Sequence, residues 1–239
     1  IKLSHLIKTL NPDVFIHLSA LTNVDECERK PNLAFNLNVK QTKNIVDLLN
    51  GSNTKFIYIS TDQVYEGKGF HKEESINPIN VYGITKYTGE LEAARIPSLI
   101  FRTNFIGKSI TKNRTSFSDW LHKSLKKKLK ITLFKDIYFN PLNVTDLANF
   151  IIYSIENNFE GTYNLASKGC ISKADFALEL AKKLGMEFTK VEVASIKNSN
   201  LLSKRPLNMC MSCEKIENHC NFKMPSIQET IEKTALKYL

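Results

Sequence analysis

The chain has 239 residues, 42% of them hydrophobic and 24% charged, which is enough for one α/β domain or a domain with a small lobe. No apolar run is long enough to span a bilayer, so no membrane partner is expected. A net charge of +9 admits nucleic acid, but the densest basic stretch has no aromatic stacking platform, so no nucleic-acid partner is expected either.

Lys2 to Leu10 reads as an amphipathic helix rather than a signal peptide, and Asn11-Pro12-Asp13 breaks it. Val14-Phe15-Ile16-His17-Leu18 is a buried strand ending in Ser19-Ala20-Leu21-Thr22, whose small residues let a flat ligand approach the backbone. His17, inside that strand, is expected to be a satisfied core or sheet-edge histidine. A helical pattern runs from Leu33 to Leu49. Phe56-Ile57-Tyr58-Ile59 is a second buried strand, of the parallel-sheet kind, and it stops at Ser60-Thr61-Asp62. A loop bounded by Pro78 then leads to a helix opening with Tyr82-Gly83-Ile84-Thr85-Lys86. Ser98 to Arg102 is another strand. From Ile106 the pattern changes to a loop, a lysine-rich helix from near Phe117 and a short strand Ile131-Thr132-Leu133. Lys123, Lys126, Lys127, Lys128 and Lys130 are expected around that helix. A helix to Asn157, a strand from Thr162 to Ala166 and an amphipathic helix from Lys173 to Leu184 follow, with Gly185 as its stop. A last helix spans roughly Ser226 to Tyr238.

Ligands in a parallel sheet bind beyond the carboxyl ends of its strands, so Thr61 and Asp62 face a crevice. Tyr82 and Lys86 stand four positions apart and share a helix face. A nearby ammonium lowers a phenol's pKa, and a hydroxyl, a phenol and a lysine together can move a proton onto or off a carbonyl oxygen. Ser60-Thr61-Asp62-Gln63-Val64-Tyr65, followed by Pro78 and Tyr82-Gly83-Ile84-Thr85-Lys86-Tyr87-Thr88-Gly89-Glu90, resembles the extended short-chain dehydrogenase/reductase family. Within it the likeness is to the dTDP-4-dehydrorhamnose reductase branch. Thr22, Val24, Asp25 and Glu28 are similar to that family's T-x-V-D-x-x-E, and Asn38 to Gln41-Thr42 to its NVxGT. Arg102 to Phe105, Asn140 to Ala148 and Arg205-Pro206-Leu207-Asn208 resemble further segments. The Met209 to Cys213 stretch departs from the family's Leu-Asp turn.

The resemblance implies a Rossmann-like, doubly wound parallel α/β sheet with a small interleaved α+β substrate lobe. Residues 1–105 and 140–167 would form the nucleotide domain, and 106–139 and 168–239 the lobe. It implies Thr61, Tyr82 and Lys86 as catalytic residues. Leu18, Ser19, Ala20, Thr22, Asn38, Ser60, Tyr82 and Lys86 would hold NADPH or NADH, with Asn38 bracing the lysine. Thr61, Asp62, Asn104, Phe105 and Arg205 would contact a nucleotide-linked sugar. The implied reaction is reduction of a 4-keto group on a nucleotide-linked deoxysugar in the cytoplasm, for polysaccharide precursors; a homodimer is compatible with it. A 4-epimerase uses the same tyrosine and lysine, and a non-catalytic regulatory subunit of methionine adenosyltransferase shares the fold. Gln63 argues against a dehydratase, which needs a carboxyl there.

No glycine-rich phosphate-binding turn follows a strand, although the family opens with one. The chain is therefore expected to be an N-terminally incomplete copy that alone binds cofactor poorly and is inactive. Five cysteines, at 27, 170, 210, 213 and 220, are an odd number and are expected to be reduced. Cys210 and Cys213, with the adjacent His219 and Cys220, are too tightly spaced to surround one ion, so no metal is expected.

Overall fold

The computed structural model describes residues 3–111, 115–220 and 222–239. Lys2, where the sequence pattern starts the first helix, lies outside them, as do Lys112, Asn113 and Arg114 of the loop after Ile106. Helix α1 (Leu3–Leu10) leads into β1 (Val14–His17). Next come α2 (Val24–Arg29), α3 (Pro31–Phe35) and α4 (Gln41–Leu49), the last two joined through a π-turn at Asn36–Lys40. Strand β2 (Lys55–Ile59), α5 (Val81–Ala93) and β3 (Ser98–Thr103) follow. Then come β4 (Phe105–Ile106), α6 (Phe117–Lys126), β5 (Ile131–Phe134), β6 (Tyr138–Phe139) and β7 (Leu142–Asn143). The chain closes with α7 (Val144–Glu156), β8 (Gly161–Leu165), β9 (Ile171–Ser172), α8 (Lys173–Lys183), β10 (Val191–Ala194), α9 (Glu214–Cys220) and α10 (Ile227–Ala235).

The main sheet has the order β1-β2-β3-β8, and every neighbouring pair is parallel. Alternation along β2 sends its side chains to two cores. Phe56 and Tyr58 join Ile45, Val46 and Leu49 of α4 and Ala93 of α5 on one face. Ile57 and Ile59 join Leu147, Phe150 and Ile151 of α7 and Ile216 of α9 on the other. With both faces covered, β2 reads as an apolar run, which is why it was visible in the sequence. A third core unites α6, α8 and α10 through Leu121, Leu125, Phe176, Leu180 and Ile231, under the parallel pair β5–β10.

His17 is 3% exposed, and its Nε2 meets Thr42 Oγ1 at 3.1 Å. Burial, and then the charge on Lys86, lowers its pKa from 6.5 to about 4. Above pH 6.5 both folded and unfolded imidazole are neutral; below it the unfolded chain takes up a proton that the folded one refuses. Stability is therefore lost as the pH falls from 6.5 to 4, by about 3 kcal/mol in all. Thermal unfolding between about pH 7 and about pH 4.5 should show this loss, and His17→Gln should shrink it. An equal loss in both chains would assign the acid sensitivity elsewhere.

Two expectations are corrected. Cys170 and Cys210 form a disulfide, with Cα atoms 5.7 Å apart, instead of standing as reduced thiols. Tyr138 is bridged on both sides, to Ser172 and to Asn208, and this carries the two distant cysteines together. Cys27, Cys213 and Cys220 are free. The lysine-rich stretch also leaves its helix early: Lys127 is the C-cap, and Lys128 turns with φ 52°. Among the described residues, no helix is long and apolar enough to cross a membrane.

Candidate active site

The end of β2 and the start of α5 converge. Ser60, Thr61 and Asp62 are buried just past the strand, and the Ser60 amide still donates to Phe101 O at 2.7 Å. Thr61 Oγ1 accepts from the Gln63 amide at 3.2 Å and donates to Asp62 Oδ1 at 3.1 Å, which fixes a single 3₁₀ turn. Asn80 caps α5 by accepting from the Gly83 amide at 2.8 Å. The same side chain donates to Gln63 Oε1 and to Lys204 O, each at 3.1 Å, so it ties Tyr82's helix to Thr61's turn. Gly83 permits the approach, since a Cβ there would collide with the Gln63 carbonyl. An asparagine three residues before the Gly83 amide is a cap signal readable in the sequence.

Tyr82 is 8% exposed, and Thr61 and Asp62 lie close enough to its phenol to act on its charge. Burial pushes its pKa above the ordinary value; Thr61 pulls it back and Asp62 adds to the rise. The expected lowering by Lys86 is therefore not what the geometry gives. Positions i and i+4 share a face, but the lysine side chain runs back over the Tyr58 ring, 4.1 Å from its centroid, and donates to Ile59 O at 2.8 Å. Burial brings Lys86 down to about 7, and Glu90 partly offsets it. Asp62 is pushed up to about 6 by burial, while Asn104, whose Nδ2 donates to Asp62 Oδ2 at 2.6 Å, Lys173 and Thr61 pull it back.

Asn38 is 1% exposed, turned inward by the π-turn. Its Oδ1 accepts from the Leu21 amide at 2.7 Å, and its Nδ2 donates to Thr85 Oγ1 at 3.0 Å. It therefore braces the turn after β1 and the residue beside Lys86, not the lysine itself. Leu18, Ser19 and Thr22 form an exposed turn beside β2's end, with Ala20 half-buried. Phe105 is 49% exposed on β4, which removes it from the core. Arg205 is engaged: its Nη2 pairs with Asp25 Oδ1 at 3.0 Å and its Nη1 donates to Ser203 O at 2.9 Å. Ser203 in turn donates from its amide to Asp25 and from its hydroxyl to Glu28. The two carboxylates of α2 thus hold the segment that crosses from the lobe.

Behind the site lies a buried ion pair that the sequence did not flag. Arg102 Nε donates to Glu90 Oε1 and Oε2 at 3.0 Å each, and Nη2 pairs with Oε2 at 2.6 Å. Ser60 donates its hydroxyl to Glu90, and Arg102 Nη1 donates to the Tyr65 phenol at 2.8 Å.

The family model described as "RmlD substrate binding domain" matches residues 1–239. The chain belongs to the RmlD substrate-binding domain family. A dTDP-4-dehydrorhamnose reductase of Salmonella typhimurium is 27% identical over 236 residues, covering 92% of this chain and 77% of that protein. A Haloferax volcanii protein named "Probable low-salt glycan biosynthesis reductase Agl14" is 24% identical, covering 95% of this chain and 78% of its own length. The crystal structure of dTDP-4-dehydrorhamnose reductase from Bacillus anthracis, in complex with NADP, superposes with a TM-score of 0.91. It is 26% identical and covers 98% of this chain and 84% of that one. The RmlD family member described here has the Rossmann-like parallel sheet of those reductases and is an oxidoreductase of the extended short-chain dehydrogenase/reductase type.

Proposed function

We propose that the protein reduces the 4-keto group of a nucleotide-linked deoxysugar with NADPH or NADH, in the cytoplasm, for a cell-surface polysaccharide precursor. The observation that carries this reading is the convergence of Tyr82 and Thr61, both buried, at the carboxyl end of β2, with the Lys86 ammonium on Ile59 O behind them. The turn from Leu18 to Thr22, exposed beside that end, fits a dinucleotide laid across the sheet. Bound there, the nicotinamide supplies the hydride.

The chain's own residues handle the oxygen and its proton. Tyr82 donates its phenolic proton to the carbonyl oxygen as charge builds on it. A phenol kept protonated by burial is in the right state for that step. Thr61 donates a hydrogen bond to the same oxygen in a water-poor site, where such a donor is most effective. Lys86, with Ser60 and Asn38 shaping the surrounding backbone, holds the nicotinamide ribose. Asp62, Asn104 and Phe105 border the sugar, and Arg205 closes the cleft wall beyond it. Residues 1–105 and 140–167 carry the cofactor; 106–139 and 168–239 carry the sugar nucleotide, with Met211, Cys213 and Met224 packed back onto the sheet.

Gln63 spends its side-chain oxygen on Asn80 and has no proton to shuttle, which disfavours loss of water from the sugar. Mixing the protein with NADPH or NADH and a nucleotide-linked 4-keto-6-deoxy sugar should oxidise the dinucleotide and give the 4-hydroxy sugar in equal amounts. A C4-inverted sugar with no net oxidation would overturn the proposal.

A further inference from the structure

The disulfide has one accessible and one hidden end. Cys170, just before β9, is exposed, whereas Cys210 is 1% exposed. The two lie forty positions apart and close a loop that contains α8 and β10. Asn140 makes nearly the same connection without a covalent bond. Its Nδ2 donates to Ser167 O at 3.0 Å, and its Oδ1 accepts from the Met211 amide at 3.0 Å. Tyr138 donates its amide to Leu207 O at 2.7 Å and accepts from the Met209 amide at 3.0 Å. The His71 amide donates to Cys210 O at 2.8 Å. The chain on both sides of the disulfide is therefore held in place whether the bond is open or closed.

The segment so joined forms a cleft wall: Arg205, Pro206 and Met209 line a cavity of about 180 Å³ that also touches Gln63. Its upstream end is fixed on Asp25, which takes the Arg205 guanidinium and the Ser203 amide. Its downstream end is fixed to the lobe by the disulfide. An exposed sulfur is open to attack by a small thiolate. In a reducing compartment, disulfides that form are mostly transient or redox-sensing rather than structural.

We propose that Cys170 and Cys210 are a reversible thiol–disulfide clasp, which tightens the cleft wall when the thiol pool is oxidised and slackens it when the pool is reduced. The oxidant is a small-molecule disulfide such as glutathione disulfide. The Cys170 thiolate attacks one of its sulfurs, and the first glutathione leaves as a thiolate. The Cys210 thiolate then attacks Cys170 Sγ in the mixed disulfide, forming the protein bond and releasing the second glutathione. Two protein thiols give up two electrons and two protons, and one glutathione disulfide takes them up as two thiols. Exchange stops at this pair. Burial pushes the Cys27 thiol up to about 11 and the Cys213 thiol up to about 12, so neither supplies a competing thiolate. The effect on turnover rests on the reductase reading above and falls on sugar binding, because β2 and α5, which carry Thr61 and Tyr82, lie outside the closed loop.

The test equilibrates the whole chain in glutathione buffers from fully reduced to fully oxidised, traps the thiols with a maleimide under denaturing conditions and counts them by mass. Five thiols are expected at the reduced end and three at the oxidised end. Amide exchange over residues 203–211, read without substrate, should be about tenfold faster in the reduced chain. Cys170→Ser, a change at an exposed position, should show the fast rate in every buffer. With a nucleotide-linked keto sugar, oxidation should lower the wild-type KM by about fivefold or more at unchanged kcat and leave Cys170→Ser unmoved. A thiol count that stays the same in every buffer overturns the clasp. Equal exchange at the two ends, or an equal KM in a chain that turns over, overturns it as well. A chain that reduces no such sugar at either end, yet changes its thiol count and its exchange, removes the reductase reading and leaves the clasp standing.

Discussion

Replacing Tyr82 by phenylalanine is expected to cut kcat by about 10²- to 10⁴-fold, the range over which general acid catalysis acts. The substitution removes one oxygen from a ring that is 8% exposed, so the pocket keeps its shape. Thr61 would keep its bonds to Asp62 and Gln63, and the turn would hold. A thousandfold loss corresponds to about 4 kcal/mol of transition-state stabilisation. Because the phenol acts where charge develops, kcat and kcat/KM should fall together, and the KM for the sugar nucleotide should stay close to wild type. Single-turnover oxidation of the dinucleotide measures this. A variant that turns over at the wild-type rate would dismiss Tyr82 as the proton donor, whatever its position.

The second large effect is on stability. Arg102→Met strands Glu90, whose side chain is 3% exposed and already receives the Ser60 hydroxyl. Breaking a buried pair by removing one partner leaves an uncompensated charge and costs about 3–5 kcal/mol. Urea unfolding should register that loss as a lower midpoint with an unchanged slope. The double variant Glu90→Leu with Arg102→Met leaves no charge behind and should recover a good part of it. A single variant losing less than about 1 kcal/mol would mean that water reaches the pair, against its burial here. On the proposed mechanism the pair also bears on catalysis: Glu90 is anchored to Ser60, immediately before Thr61, so loosening it frees the strand end that would aim the hydroxyl.

The middle of the main sheet was legible because β2 and β3 are buried on both faces and read as largely apolar runs. Phe56 to Ile59 and Ser98 to Thr103 are buried throughout. The proposed trio of Thr61, Tyr82 and Lys86 rests on helix spacing and a strand end, each of which fixes a position locally. The misses have a common cause in distance along the chain. Strand β10 gains its partner β5 from some sixty residues away, and nothing in Val191–Ala194 says so. Helices α2 and α9 are six and seven residues long, too short for periodicity to declare. Lys173 read as the first lysine of an amphipathic helix, and only the packing of α6 and β6 beside it lays its ammonium over the Phe117 and Phe139 rings. The Tyr82 pKa was misjudged for a similar reason, since spacing shows which residues share a face but not where a long side chain ends.

The π-turn at Asn36–Lys40 has a consequence for any effort to align or redesign this chain. It amounts to one extra residue wound into an otherwise α-helical rod, so α3 and α4 are rotated out of phase by the angle of a single residue. Deleting one position there would restore an ideal helix and improve every local propensity. It would also swing Asn38 off Leu21 and Thr85, unpinning the mouth of the sheet while tidying the rod. A gap placed inside that segment by a comparison of sequences therefore marks a change of architecture at the site, not a trimmed loop.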